Sequence, residues 1–586
     1  MTALIAGAAL AACTAQPLPV LPGNGPNGPV SSPVTPPPTR EIVLGVDRLA
    51  GGFNPHTLAD LTPVSEAVAG LLLPSAFHQT PAGEWVLDDT LLNSAGVTDT
   101  APFTITYRIR RNAQWSDVTP IAAEDFGYLA EQMRTQPGVL DSAGYQLIDQ
   151  VVSRDGGKTA EVVFHRPYAG WRTLFRHLLP AHLLKDAPGG WNNGLDADLP
   201  VSGGPFAMVS VDASRGEMVL ARNDRYWDTP AQLDRILFRQ GSDAALAEAL
   251  RTGGAQAALF GRPNAITESL LRNGDGIGAD LAVAPVVVPQ PVLASVLLRP
   301  ASQVLDDQRV RTAVAAALDR PALIATGVAS GPSAALRADS ALLAPSAPGY
   351  RATAPVAGVP VTPDPDTVRR LLTDAGYTRG RAGWERAGQP LRLVVAAPAD
   401  REPYGTLAAR VADQLRTAGI EAQLREVDPD ELFGTMLGPK PDINEVSFRP
   451  GTAEAANPEA GIPGADIPEP DIVVLPQPVA GHPATQLASW YGCPLVVPAR
   501  LAPAPPNPAG LCDLTLQPLI ERALTQDDPV GTVAPTVESA LWERAVTIPL
   551  YQQVSLLVST SQLHGTAPGT VLEGPLDGAA RWQLRR

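Results

Sequence analysis

The sequence predicts an α/β fold spread over several domains, and three observations support this prediction. The chain has 586 residues, of which 45% are hydrophobic and 18% are charged, which is enough to bury more than one core. Apolar and polar residues alternate from Phe103 to Ile109, as they do in a strand with one solvated face. After a turn at residues 115–117, Glu124 and Asp125 stand where carboxylates favour the first turn of a helix.

The N-terminus is typical of a lipoprotein export signal followed by a tether. Residues 1–13 are small and apolar, and Leu10-Ala11-Ala12-Cys13 resembles a bacterial lipobox, in which the signal is cut before the cysteine and the thiol is acylated. No Lys or Arg precedes the apolar run, so we expect the natural start to lie upstream. Residues 14–40 are rich in Pro and Gly and predict a disordered tether. We therefore expect a lipid anchor at Cys13 that holds the protein at the outer face of the cytoplasmic membrane.

Charge and motif content argue against several function classes. The formal net charge of −16 disfavours nucleic acid, whose phosphates require a basic surface. The sequence has no Gly-X-Ser-X-Gly elbow, no His-Glu-X-X-His and no phosphate loop, and its seven histidines show no metal-ligand spacing. We therefore expect that the protein is not an enzyme and that it binds neither a cofactor nor a metal ion. In an oxidising compartment Cys493 and Cys512 are disulfide candidates, the alternative being two buried thiols.

Several different motifs follow one another along the chain. They comprise a strand at 41–46, a Gly-Gly-Phe-Asn-Pro-His loop at 51–56, Trp-Ser-Asp at 115–117, Ser-Gly-Gly-Pro-Phe at 202–206, Arg-Asn-Asp-Arg-Tyr-Trp at 222–227, a helix over 306–320, a helix over 366–377 that ends in Ala-Gly-Tyr, and Ile-Pro-Leu-Tyr at 548–551. In this order they closely resemble the extracytoplasmic solute-binding proteins of the peptide/nickel transporter class. One position departs from the family pattern, because Val118 stands where the family has the glycine that a positive φ favours.

The resemblance implies a two-lobed, periplasmic-binding-protein-like α/β fold with an extra subdomain and a cleft between the lobes. We expect lobe I to be discontinuous and to combine residues 41–70, 200–290 and 541–586. The extra subdomain would occupy residues 71–199, and lobe II residues 291–540. At family-like cleft positions the candidate ligand contacts are Gly51, Gly52, Phe53, Gln477, Trp490, Tyr491 and Tyr551.

The residue that holds a peptide's α-amine in this family has no clear counterpart here. Peptide-binding members use an aspartate of lobe II for this, since a buried carboxylate pairs favourably with the ammonium group. In the corresponding stretch, residues 471–483, the chain has Pro478, Val479 and Ala480 at that place. A different register would bring in Asp466 or Asp471 instead. We expect ordinary peptide binding to be lost.

Together with the lipobox and the Ala/Pro-rich composition, this loss resembles a mycobacterial branch of lipoproteins that serve the cell envelope. The resemblance implies a non-catalytic protein that binds or regulates phosphatidylinositol mannoside intermediates, such as the monoacyl tetramannoside, in lipoarabinomannan biosynthesis. Mannosyltransferases or an ABC permease would be its protein partners, and we expect a monomer. Two alternatives stay open, a peptide receptor of an ABC transporter and a scaffold for a protein partner with a vestigial cleft.

Overall fold

The structure is a computed structural model, and it describes most of the chain after the N-terminal segment. The described residues are 40–49, 51–187, 189–272, 285–355, 362–438, 469–479, 481–493, 496–497, 500–501, 507–526, 530–567 and 569–585. Residues 40–586 form one compact unit. The lipobox cysteine Cys13 and residues 14–39 of the predicted tether lie outside the described residues. Arg40, the last residue of the predicted tether, belongs to the compact unit, where it pairs with Asp234.

The described chain contains both strands and helices. The strands are β1 Glu41–Val46, β2 Phe77–Gln79, β3 Trp85–Leu87, β4 Leu92–Thr100, β5 Phe103–Ile109, β6 Ile148–Arg154, β7 Thr159–Phe164, β8 Phe206–Asp212, β9 Glu217–Arg222, β10 Arg235–Gln240, β11 Ala257–Phe260, β12 Val286–Leu298, β13 Thr378–Arg379, β14 Trp384–Arg386, β15 Gln389–Pro390, β16 Arg392–Pro398, β17 Glu421–Val427, β18 Ile472–Pro478, β19 Val496–Val497, β20 Arg500–Leu501, β21 Thr547–Ser559, β22 Leu563–His564 and β23 Gln583–Leu584. The α-helices are α1 Pro63–Leu72, α2 Ala123–Thr135, α3 Ala143–Gln146, α4 Ala181–Leu184, α5 Asp243–Arg251, α6 Ala265–Arg272, α7 Gln308–Ala316, α8 Arg320–Val328, α9 Pro365–Asp374, α10 Tyr404–Thr417, α11 Pro483–Tyr491, α12 Gln517–Thr525 and α13 Val530–Glu543. Single turns of other helix types occur at Asp155–Gly157, Trp171–Thr173, Pro332–Ala335, Glu431–Met436 and Ala579–Arg581.

A ten-stranded sheet joins the two lobes. Its order is β17-β16-β18-β12-β21-β11-β1-β10-β9-β8, so the central pair β12 and β21 is shared between the lobes. At one end β21 pairs with β11, and at the other end β12 pairs with β18. Parallel pairs occur in both lobes, β1 with β10 and β11, and β16 with β17 and β18. All seven residues of β18 are buried, as expected for a strand covered on both faces.

The shared strands are irregular between the lobes. The pairing of β12 with β21 shifts register between Pro289 and Leu293. Pro289 and Pro291 have no N–H to give to a ladder, so the break falls where the sequence removes two donors. The predicted boundary between lobes at 290–291 lies beside this break, and the predicted domain boundaries stay predictions.

The extra subdomain contains the predicted strand, turn and helix as β5, the turn at residues 115–118 and α2. Its sheet has the order β4-β5-β7-β6, and β5 spans Phe103–Ile109, as the alternation predicts. Helix α2 begins at Ala123, with Glu124 and Asp125 in its first turn, which confirms the predicted start. In the preceding turn Val118 has φ 72°, a left-handed conformation that is strained for a β-branched residue.

Candidate functional site: the cleft between the lobes

A cavity of about 720 Å³ lies between the lobes, where parallel strands of both end. Lobe I contributes residues that follow β1 and β11, such as Arg48 and Arg262, and lobe II contributes residues that follow β16, such as Arg401. In open α/β sheets ligands bind outside the carboxyl ends of parallel strands, because chain ends, loops and their polar groups meet there. The topology therefore makes this cavity the candidate ligand site.

Asp47 and Arg262 are two of the charged residues that line the cavity on the lobe I side. An Asp47 carboxylate oxygen accepts a hydrogen bond from the Gly261 N–H at 3.0 Å, which fixes the loop after β11. Burial raises the pKa of the Asp47 carboxyl, and the nearby Arg262 guanidinium partly offsets this. Arg262 is exposed to the cavity, and it forms no ion pair or hydrogen bond with any residue that the structure describes. This guanidinium is thus available for an anionic ligand group.

Two arginines reach across the cleft and hold it closed. The Arg401 guanidinium of lobe II donates to the Leu61 carbonyl at 2.9 Å and to the Ala59 carbonyl. In the opposite direction, the Arg48 guanidinium of lobe I donates to the Asp400 carbonyl. Because both arginines bind backbone carbonyls of the other lobe, they stabilise the closed arrangement without using a ligand.

The floor of the cavity is held by amide side chains of the shared strands. Gln290 donates to the Gly261 carbonyl at 2.8 Å and to the Ser555 hydroxyl at 2.9 Å. Gln553 donates to the Tyr404 hydroxyl at 2.6 Å. These bonds fix the walls that a ligand would contact.

A smaller side chamber of about 110 Å³ borders the cavity. The two spaces share Leu61, Glu66, Pro291 and Leu572 in their linings. Burial raises the pKa of the Glu66 carboxyl to about 7, while Arg176 lowers it and Glu573 raises it further.

The structure brings one of the seven predicted ligand contacts to the main cavity. Gly51 lines the cavity. Gly52 does not; it packs against the Asp60 carboxylate, and a Cβ added to it would stand 2.1 Å from a carboxylate oxygen. The other five are buried in the core, and the lining found among the described residues does not include them: Phe53, Gln477, Trp490, Tyr491 and Tyr551. Gln477, for example, donates to the Ala341 carbonyl at 2.7 Å and to the Tyr491 hydroxyl at 3.2 Å.

In the stretch where peptide-binding members of the family have their amine-binding aspartate, this chain has Pro478 and Val479, which carry no carboxylate. Val479 is buried, and its N–H donates to the Pro291 carbonyl at 2.9 Å. Asp471, at the opposite end of β18, accepts hydrogen bonds from the Val394 N–H at 2.6 Å and from the Ser302 hydroxyl. It is therefore engaged by the protein itself. Asp466 and Ala480 lie outside the described residues.

Three further observations bear on the chemistry of the protein. A disulfide bond joins Cys493 and Cys512. Within the described ranges, no group of three or more His, Cys, Asp or Glu side chains is arranged to hold a metal ion. Nor does any helix in these ranges have the length and the apolar character needed to cross a bilayer.

Known proteins resemble this chain in both sequence and fold. A family model described as bacterial extracellular solute-binding proteins, family 5 Middle, matches residues 91–457. The chain is 36% identical to a Mycobacterium tuberculosis protein named probable monoacyl phosphatidylinositol tetramannoside-binding protein LpqW, over 98% of this chain and 95% of that protein. It is 30% identical to the oligopeptide-binding protein OppA of Mycobacterium bovis, over 54% of this chain and 53% of that protein.

A solved structure confirms the two-lobed fold that the sequence resemblance implies. The oligopeptide-binding protein AppA from Bacillus subtilis, in complex with a nonapeptide, matches with a TM-score of 0.70 at 15% identity, over 94% of this chain and 100% of that chain. At this identity the match shows the fold alone. The full-length similarity and the family match lead to one conclusion: the chain belongs to family 5 of the bacterial extracellular solute-binding proteins.

Proposed function

We propose that this protein is a non-catalytic, lipid-anchored envelope protein whose cleft binds the headgroup of a phosphatidylinositol mannoside. The observation that carries the proposal is Arg262, an exposed guanidinium in the cleft that has no partner among the described residues. A planar guanidinium matches a phosphate group with two parallel hydrogen bonds. The headgroup of a phosphatidylinositol mannoside supplies such a phosphate, followed by sugar rings.

The remainder of the lining supports a ligand rich in hydroxyl groups. Gln240, Glu402 and Glu426 are exposed and line the same cavity. Amide and carboxylate groups accept hydrogen bonds from hydroxyls, and amides also donate to them. Similarity over nearly the whole chain to a protein named as a tetramannoside-binding protein supports the same assignment.

A peptide is the second candidate ligand, and a specific observation favours it as well. The Arg262 guanidinium would bind the carboxylate of a peptide in the same way as a phosphate. At the position that the family uses for the α-amine, however, Pro478 and Val479 supply no carboxylate, and Asp471 is already engaged, so an amine could pair only with carboxylates elsewhere in the cleft. We therefore place the peptide second, and a scaffold for a protein partner third.

Native mass spectrometry on delipidated protein tests the proposal. The probes are a series of phosphatidylinositol mannosides and a pool of tripeptides to pentapeptides. We expect saturable binding of the mannosides, weakened by R262Q, and no binding of the peptides. Peptide binding without mannoside binding would overturn the proposal, and silence from both would favour a protein-partner scaffold.

We further propose that Cys13 anchors the protein to the outer face of the cytoplasmic membrane, where it presents the glycolipid to mannosyltransferases or to an ABC permease. The lipobox supports the anchor. C13A should release the protein from the membrane fraction, because no acyl chain would remain to hold it. Retention of this variant in washed membranes would refute the anchor, and crosslinking in intact cells would identify which protein partner is adjacent.

A further inference from the structure

The side chamber next to the cleft contains polar side chains that have no partners. Glu66, which also faces the main cavity, forms no side-chain hydrogen bond or ion pair with the described residues. Across the chamber, Asp141 Oδ1 is buried without a hydrogen-bond partner. Two carboxyl groups thus face a small internal space with their hydrogen-bonding capacity unused, and buried polar groups are normally satisfied.

The chamber also offers hydrogen-bond donors. Arg176 donates to the Leu572 carbonyl at 3.1 Å, but its Nε is buried without a partner. The same Arg176 Nη2 that donates to Leu572 also lies 3.4 Å from His177 Nε2, and because arginine only donates, this Nε2 accepts. His177 Nδ1 therefore carries the ring hydrogen, and it too has no partner. Burial and the charge of Arg176 lower the pKa of the His177 imidazole well below its usual value, which keeps the ring neutral.

This combination of groups discriminates between ligand classes. An ammonium group would pair with the carboxylates but would leave the donors of Arg176 and His177 unsatisfied. A phosphate or carboxylate would be repelled by Glu66 and Asp141. A hydroxyl both donates and accepts, so neighbouring hydroxyls on one ring satisfy carboxylates and N–H donors together. The half-buried indole of Trp85, which also lines the chamber, offers a flat apolar surface of the kind that packs on the C–H face of a sugar.

The size of the chamber limits the ligand to one ring. A volume of about 110 Å³ corresponds to roughly ten water-sized positions, at about 10–15 Å³ for each. One hexose ring has roughly a dozen non-hydrogen atoms, so one ring fills this space and a disaccharide exceeds it.

We infer that the side chamber binds a single hexose ring of the ligand, with Glu66 and Asp141 accepting hydrogen bonds from its hydroxyls and Arg176 and His177 donating to them. The inference rests on the proposed function in identifying this hexose as a mannose of the headgroup. The phosphate would then remain in the main cavity near Arg262, and the mannose chain would enter the chamber past Glu66.

Isosteric variants test the inference by calorimetry. The probes are the deacylated phosphatidylinositol tetramannoside, glycerophosphoinositol (which lacks mannose) and methyl α-D-mannopyranoside. We expect E66Q and D141N each to weaken tetramannoside binding by about tenfold or more, as for the loss of a charged hydrogen bond. D141N, whose carboxyl group lines the chamber and not the main cavity, should bind glycerophosphoinositol with the affinity of the wild type. E84Q, which removes the same charge at an exposed position outside both cavities, is the matched control and should bind as the wild type does.

The outcomes separate this inference from the proposed function. If the wild type binds the tetramannoside and both variants bind it equally well, the chamber assignment is wrong and the proposed function stands. If the tetramannoside does not bind, but methyl mannoside gives a saturation-transfer signal that D141N abolishes, the proposed function fails and the chamber assignment holds. Absence of binding by every probe overturns both. If the variants unfold at or above the midpoint temperature of the wild type, a loss of binding cannot be attributed to a loss of folding.

Discussion

Replacing Asp125 with alanine should destabilise the extra subdomain, and by an amount that depends on pH. The carboxylate is 3% exposed and accepts hydrogen bonds from the Ala122 N–H at 2.9 Å, the Ala181 N–H at 2.9 Å and the Trp115 indole N–H at 3.4 Å. It thereby ties helix α2 to the turn before it and to the start of α4. Alanine would leave three donors without an acceptor, at a cost of about 1–3 kcal/mol for each buried group.

Burial of the carboxylate opposes part of this cost. It raises the pKa of Asp125 from 3.8 to about 6, against the hydrogen bonds, which lower it. At pH 7.5 the ionised group therefore favours the unfolded chain by about 3 kcal/mol, and the alanine variant is relieved of this penalty. The three lost hydrogen bonds together cost about 3–9 kcal/mol, so subtracting this penalty leaves a net destabilisation of roughly 0–6 kcal/mol at pH 7.5, with a midpoint of about 3 kcal/mol.

The sign of the pH dependence follows from the direction of the shift in pKa. Between pH 3.8 and about 6 the folded state binds more protons at Asp125 than the unfolded state does, so this group's contribution to stability falls as pH rises through that window. At pH 5 the penalty is about 1.4 kcal/mol smaller than at pH 7.5, so D125A should cost about that much more at pH 5. A carboxylate in an ordinary salt bridge would behave in the opposite way.

Equilibrium unfolding in urea at pH 5 and pH 7.5, followed by tryptophan fluorescence and circular dichroism, measures both effects. D125N is the matched control, since it keeps the shape and one oxygen acceptor but does not titrate, so its stability should lack this component of the pH dependence. Other titrating groups contribute equally to all three proteins and cancel in the differences. A cost of D125A below about 1 kcal/mol at both pH values, or one that is larger at pH 7.5 than at pH 5, would refute the reasoning.

Three other predictions concern the turn, the cleft and the disulfide. V118G should stabilise the protein by about 1 kcal/mol in urea unfolding, because glycine relieves the strain of the positive φ at this exposed position and loses only part of that gain to chain entropy. V118A keeps the strain and should not be stabilised, and an unchanged urea midpoint of V118G would contradict the prediction. R401A should raise the ratio of open to closed forms of the unliganded protein roughly tenfold, because it removes hydrogen bonds between the lobes. Small-angle X-ray scattering should then give a larger radius of gyration than for the wild type, and identical scattering curves would contradict the prediction. The double variant C493A/C512A should lose about 3 kcal/mol of stability, because the bond closes a loop with a sequence separation of 19; equal urea midpoints with and without the bond would be the contrary result.

The sequence predicts elements well wherever a local pattern determines them. Strand β5 and the start of α2 follow from alternation and from carboxylates in a first turn, and both match the structure. Helix α9, predicted over 366–377, spans Pro365–Asp374 and begins with a proline after Asp364, whose side chain caps it. Its predicted end was wrong, because the Ala-Gly-Tyr motif follows the helix and its glycine has a positive φ. In each case the chemistry that determines the element lies within a few residues of it.

The site was much less predictable, because its residues meet only through topology. Gln477 and Tyr491 carry groups that suit a ligand, yet β18 is buried on both faces and these groups bind each other. Arg262 and Arg401 belong to no motif that pattern alone would find. Their signal is a position just beyond the carboxyl end of a parallel strand, which is informative only once the strand order is known.

The shared central strand has a consequence for how the protein is made. Strand β21 is supplied by residues 547–559, close to the C-terminus, and all thirteen of its residues are buried between β12 and β11. Without it the ten-stranded sheet would fall into one piece of four strands and one of five, each with an unpaired edge that invites aggregation. Neither lobe can therefore be completed until residues 547–559 are available, so the two lobes must finish folding together.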